Sequence, residues 1–186
     1  DTAFIFYVTL SIWSWVEYNH SNKRYWLFLI GTFAGIAILN KWVVGLLVYS
    51  GWWLSIFFYR NKSEWISEHK KMGISLLISL LIALPWQIFI FFTYPEESRF
   101  ELLYNSQHFF EPMENHGGTA YFHLNLLTEQ YGGILVTFLI IPGLYFFFKS
   151  MKNKAFKVGM LTFLMCTYLF FSLAATKMVN FCVIVS

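Results

Sequence analysis

Met72-Gly-Ile-Ser-Leu-Leu-Ile-Ser-Leu-Leu-Ile-Ala-Leu-Pro-Trp-Gln-Ile-Phe-Ile-Phe-Phe-Thr-Tyr94 runs without an Asp, Glu, Lys or Arg. A helix rises about 1.5 Å per residue, so about 20 apolar residues cross a hydrocarbon layer of roughly 30 Å. The run is too long and too unalternated for a barrel strand. In lipid a chain must satisfy its own backbone N–H and C=O groups, so the run reads as a membrane-spanning helix. Pro85 inside it predicts a kink that neighbouring helices tolerate.

Working outward, residues 3–16, 25–40, 42–59, 132–148 and 158–175 are also free of Asp, Glu, Lys and Arg. With 72–94 they make six expected spans, the first two short, and Pro142 predicts a second kink. Composition agrees. Charged residues are 12% of the chain, against about 25% in soluble domains. Hydrophobic residues are 58% and mean hydropathy is +0.55. These values exclude a disordered tail, a nucleic-acid module and an ordinary water-soluble core. The 22 Phe, 11 Tyr and 8 Trp suit a chain in lipid with many headgroup-level anchors. The expected fold is an all-α polytopic membrane helix bundle, with residues 1–186 forming part of a single transmembrane domain. No basic stretch leads into a short apolar segment at the start, so no signal peptide is read. The chain stops inside an apolar stretch, which reads as a piece of a longer polytopic protein. Cys166 and Cys182 lie in apolar stretches without metal spacing and read as packing residues.

Charge sets the expected orientation. If 19–24, 60–71 and 149–157 share one side, that side holds Lys23, Arg24, Arg60, Lys62, Lys70, Lys71, Lys149, Lys152, Lys154 and Lys157, ten of the 13 basic residues. The positive-inside rule makes this side cytoplasmic. Asp1, Glu96, Glu97, Glu101, Glu111, Glu114 and Glu129 then lie outside, as does the long connection 95–131. Within that loop Phe100, Leu103, Tyr104 and Phe110 share one face of a helix in the membrane plane, and 121–131 is a second apolar run.

Ion-coupled transporters place ionisable groups at mid-membrane. Here only Gln87 is strongly polar well inside a span, and the polar chemistry gathers at the outer boundary. Lys41 and Lys177 stand there against the charge bias. Each binds a phosphate as a point charge or snorkels to the headgroups. Asp1 is a helix N-cap or an acidic group facing a sugar or an acceptor. His108, Glu111, Glu114, His116 and His123 are either loop groups held by hydrogen bonds or divalent-metal ligands, in a spacing that matches no tight zinc pattern. Gly117-Gly118 is a turn or a close approach of main chain to a ligand. Gly31 and Gly35 form a GxxxG that lets helices pack closely.

Several motifs, in order, resemble one family. Gly31-Thr-Phe-Ala-Gly35-Ile-Ala-Ile-Leu-Asn40-Lys41 resembles the glycine-rich span of GT-C membrane glycosyltransferases, in the protein mannosyltransferase and aminoarabinose transferase branch. Asp1-Thr2-Ala3-Phe4 is similar to that branch's Asp-Thr-Pro-Leu, with Ala3 in place of Pro. Pro85-Trp86 resembles its Pro-Trp before the large loop. His116-Gly117-Gly118 with Tyr121-Phe122-His123 resembles its His-Gly-Gly and aromatic pair. Phe171-Ser172-Leu173-Ala174-Ala175-Thr176-Lys177 is similar to its Phe-Ser-x-x-x-Thr-Lys; the Pro and Tyr that usually follow are Val179 and Phe181 here.

The resemblance implies a multi-pass enzyme, expected in a bacterial inner membrane with its active face external. It would move a sugar from a polyprenyl-phosphate carrier to a protein, lipid A or another glycan, inverting at the anomeric carbon in most relatives. Asp1 matches a second acidic position of the family and is the catalytic candidate in this chain. Lys177, Lys41 and His116 match the substrate and lipid-phosphate side, and His108 and His116 are candidates for a divalent metal. The family's principal catalytic acid lies in an external loop before position 1. A polyprenyl-linked glycan flippase and a non-enzymatic scaffold are the competing readings.

Overall fold

The computed structural model describes residues 2–58, 62–130 and 132–178. Among these the chain is helical with no strand. Helices α1 (Thr2–Ser21) and α2 (Tyr25–Lys41) are followed by a 3-10 helix (Trp42–Leu47) and α3 (Val48–Ile56). Next come α4 (Lys62–Thr93), α5 (Pro95–Phe110), α6 (Phe122–Asn125) and α7 (Leu127–Gln130). The chain ends in α8 (Ile134–Phe138), α9 (Ile140–Ser150) and α10 (Lys154–Leu173). Two compact units result: Asp1–Thr93 with Asn153–Cys166, and Tyr94–Lys152 with Thr167–Ser186.

The all-α membrane fold stands; the six expected spans are not confirmed. Among the described residues three helical runs are long and apolar enough to cross a membrane: Tyr25–Ile56, Ser63–Thr93 and Lys154–Leu173. The expected span 42–59 opens instead as a 3-10 helix. Trp42 has φ 51° and ψ −140°, a conformation no helix continues through. A Cβ on Gly45 would lie 2.6 Å from the Ile38 nitrogen, so the chain folds back on α2 there. The expected span 132–148 breaks into α8 and α9. Pro142 has no N–H for the Phe138 carbonyl, and the break falls after Phe138. The expected loop 60–71 is largely the first turns of α4, because Lys and Glu continue a helix readily. That helix runs on through Pro85.

α4 shows how this sequence folds in lipid. Leu77, Leu81, Leu84, Ile88 and Phe92 recur at helical spacing and are exposed, Phe92 by 86%. The opposite face carries Ser75, Ser79 and Ala83, all buried. Large apolar groups point outward and small residues inward, the pattern expected where lipid is as apolar as leucine. α2 packs between α1 and α4. Cβ atoms on Gly31 and Gly35 would lie 2.5 and 2.9 Å from the backbone oxygens of Ser75 and Ser79. The Ser79 hydroxyl donates to the Gly31 carbonyl at 2.9 Å, and Tyr49 Oη lies 2.6 Å from Ser79 Oγ and 3.0 Å from Ser75 Oγ. The GxxxG is therefore a helix seat. Gly31→Ala is expected to cost about 1–3 kcal/mol by overpacking against backbone, read as a lowered unfolding temperature in detergent.

Sequence reading missed a buried polar tie in this unit. Glu68 is 6% exposed. Its carboxylate accepts from Tyr18 Oη at 3.0 Å, Lys71 Nζ at 2.7 Å and Trp52 Nε1 at 3.4 Å. The tie joins α1, α3 and α4. The Glu68/Lys71 spacing of three was its only sequence signal.

Candidate functional site

In the second unit, two separated motifs come together. α5 begins at Pro95, suited to a first helical position, and carries Phe100, Leu103, Tyr104 and Phe110. Phe100, Leu103 and Phe110 are exposed, and the Phe100 and Tyr104 rings stack at 5.9 Å. The helix ends where Glu111 turns extended. A helix leaves its last carbonyls without internal partners. Here the segment after α10 supplies donors: Thr176 N donates to the His108 carbonyl at 2.9 Å and Ala175 N to that of Phe109 at 3.0 Å. Lys177 N continues the strap with a 2.7 Å bond to the His116 carbonyl.

Thr176 is fully buried at the centre of this junction. Its hydroxyl donates to the Glu111 carbonyl at 3.0 Å and accepts from Met113 N at 3.0 Å. His108 Nδ1 lies 3.1 Å from the same oxygen. A hydroxyl has one proton, and the Glu111 carbonyl accepts it, so His108 Nδ1 is the donor in its bond. The loop then turns tightly from Met113 to His116, whose N–H bonds the Met113 carbonyl at 2.9 Å. Glu114 and Asn115 both have positive φ, 54° and 62°, which is unusual for a glutamate. Tyr104 Oη holds the Glu114 carboxylate at 2.7 Å. That bond raises the pKa of the Tyr104 phenol.

Lys177 is 4% exposed. Its ammonium donates to the carbonyls of Ala174 at 2.5 Å, Ser172 at 2.6 Å and Phe171 at 3.4 Å. These belong to the end of α10, where a cation is favoured by the helix dipole. Gly118 lies against the lysine stem: a Cβ there would be 3.0 Å from Lys177 Cγ and 3.1 Å from Phe122 Cδ2. The second glycine of the His-Gly-Gly motif is thus a close-approach position. His123 is fully buried. Burial and the Lys177 charge push its imidazole below the usual histidine range, against a hydrogen bond to the Phe171 backbone that raises it.

The structure brings Lys177, His116 and His108 into one region. His116 is exposed, and its main chain, rather than its ring, makes the contact with Lys177. Lys41 belongs to the other unit, with Nζ 5.6 Å from the centre of the Phe4 ring. Asp1 lies outside the described residues, as do Val179, Phe181 and Cys182. Among the described residues no three His, Cys, Asp or Glu side chains gather as a metal site. Sequence reading missed Thr176 as a junction; its place in the Thr-Lys motif was the available signal.

The family model for dolichyl-phosphate-mannose-protein mannosyltransferase matches residues 1–103, more than half of the chain. The chain belongs to this family. The match covers the glycine-rich span and Pro85-Trp86; the His-Gly-Gly and Thr-Lys motifs lie beyond it. Among solved structures, this mannosyltransferase-family chain is similar to ArnT from Cupriavidus metallidurans bound to undecaprenyl phosphate. The TM-score is 0.65 at 19% identity, over 98% of this chain and 32% of that one. The likeness shows the fold, and the chain spans about a third of that protein's length. No curated protein matches the sequence.

Proposed function

We propose that the full-length protein is a multi-pass membrane glycosyltransferase that moves a sugar from a polyprenyl-phosphate carrier to a protein, lipid A or glycan acceptor. Residues 1–186 are part of its single transmembrane domain. The reaction face is external, in a bacterial inner membrane. Family membership supports the chemistry, and the ArnT structure holds a carrier lipid of the proposed kind. The observation that carries the reading is the strap that seats Thr176-Lys177 on the His108–His116 loop.

An acceptor hydroxyl attacks the anomeric carbon, the bond from that carbon to the phosphate oxygen breaks, and the polyprenyl phosphate leaves with the electron pair. The acceptor proton passes to an acidic base. Asp1 is assigned to the acidic side, Lys177 and Lys41 to the phosphate, and His116 to the wall of the pocket. A cation stabilises the charge that develops on the leaving phosphate. A divalent metal at His108 and His116 is an addition to this proposal, and the transfer step does not depend on it.

The test is reconstitution of the full-length protein in liposomes with a radiolabelled polyprenyl-phosphate sugar and candidate acceptors. Label is expected in the acceptor, with polyprenyl phosphate released. Movement of the donor across the bilayer without transfer would show a flippase; neither event would show a scaffold. Cysteine at the exposed Ser106 is expected to react with a membrane-impermeant thiol reagent from outside, while cysteine at the exposed Ser67 does not. The reverse pattern inverts the topology.

A further inference from the structure

We infer that Thr176 is a positioning residue, whose hydroxyl sets the register between the end of α10 and the loop 108–116 and so fixes where the Lys177 ammonium sits. The inference rests on the assignment of Lys177 to the phosphate. The hydroxyl is fully buried and its bonding capacity is used up: one proton to the Glu111 carbonyl, two acceptor positions to Met113 N–H and His108 Nδ1–H. All three partners come from one short stretch, the last turn of α5 and the loop that follows it. On either side of Thr176, main-chain bonds from Ala175 and Lys177 tie the strap to Phe109 and His116. A one-residue slip breaks every one of these bonds together.

The lysine follows directly. Its backbone is pinned to His116 and its stem lies against Gly118, while its ammonium is held by α10 carbonyls. Thr176 is the adjacent residue, so any rotation of the strap that frees the hydroxyl swings the lysine stem away from Gly118. Serine keeps this geometry. Valine has the same shape and no hydroxyl; it leaves the Met113 N–H and the Glu111 C=O without this partner.

The test uses full-length protein in liposomes with Thr176→Val and Thr176→Ser. Two readouts are taken: donor kcat and KM per folded protein, and modification of Lys177 by a small amine-reactive reagent, mapped by mass spectrometry. Thr176→Val is expected to lower kcat by about 10-fold or more, since small misplacements of catalytic groups are costly. Donor KM changes less than kcat, and Lys177 becomes modifiable. Thr176→Ser restores both wild-type kcat and protection. A valine variant with wild-type kcat and a protected lysine overturns the inference. So does a serine variant with the loss of the valine one, and this arm stands even if Thr176→Val is not recovered folded. If the wild type transfers no sugar, the functional reading fails, but lysine protection still decides the positioning role.

Discussion

Lys177→Ala in the full-length protein is expected to lower sugar transfer roughly 10²-fold or more, the scale on which removing one preorganised charge-stabilising donor acts. The cost has two sources, catalysis and stability, and turnover per folded protein separates them. Lys177 also caps the end of α10 through the carbonyls of Phe171, Ser172 and Ala174. Losing that cap costs about 1–2 kcal/mol of stability. Lys177→Met keeps the apolar stem beside Gly118 but removes the charge and the three carbonyl bonds together. Both variants are expected to insert into the membrane and to lose turnover per folded protein. Activity near wild type in the methionine variant would remove Lys177 from the site.

The second large effect is on stability. Glu68→Ala is expected to cost about 3 kcal/mol, because it leaves the buried Tyr18 hydroxyl and Trp52 indole N–H without their acceptor. Glu68→Gln keeps one acceptor oxygen, for the Tyr18 hydroxyl, and loses the ion pair with Lys71 and the oxygen that faces the Trp52 indole N–H. That lysine's side chain is 35% exposed, so the pair contributes no more than about 1 kcal/mol. The expected order of unfolding temperatures in detergent is wild type, then glutamine, then alanine. An alanine variant as stable as wild type would show that the three-helix tie contributes nothing.

Much of the fold was legible because lipid imposes one rule that composition reveals directly: long uncharged runs become helices. The helix seat at Gly31 and Gly35 was legible for the same reason. What failed were the ends and breaks. The reversal at Trp42 depends on a single backbone conformation that no residue type announces, and tryptophan is a poor marker of a positive φ. The first turns of α4 read as a loop because Glu64, Glu68, Lys70 and Lys71 are polar, although such residues favour helix. Of the candidate site, the sequence offers Lys177 and His116 as motif residues and does not show their neighbourhood. The strap consists of main-chain bonds between segments about 60–70 residues apart, and main-chain bonding leaves no mark in side-chain pattern.

The Ser79 hydroxyl has a further consequence for assembly. It lies within reach of the Gly31 carbonyl on α2 and, at 3.2 Å, of the Ser75 carbonyl on its own helix. Before α2 arrives, the carbonyl four residues back satisfies it. α4 can therefore enter the bilayer alone without carrying an unsolvated donor, and trade that internal bond for Gly31 and Tyr49 once its neighbours are present. Insertion and docking become separable events, and the same oxygen that makes entry inexpensive later selects the rotational setting in which α4 comes to rest.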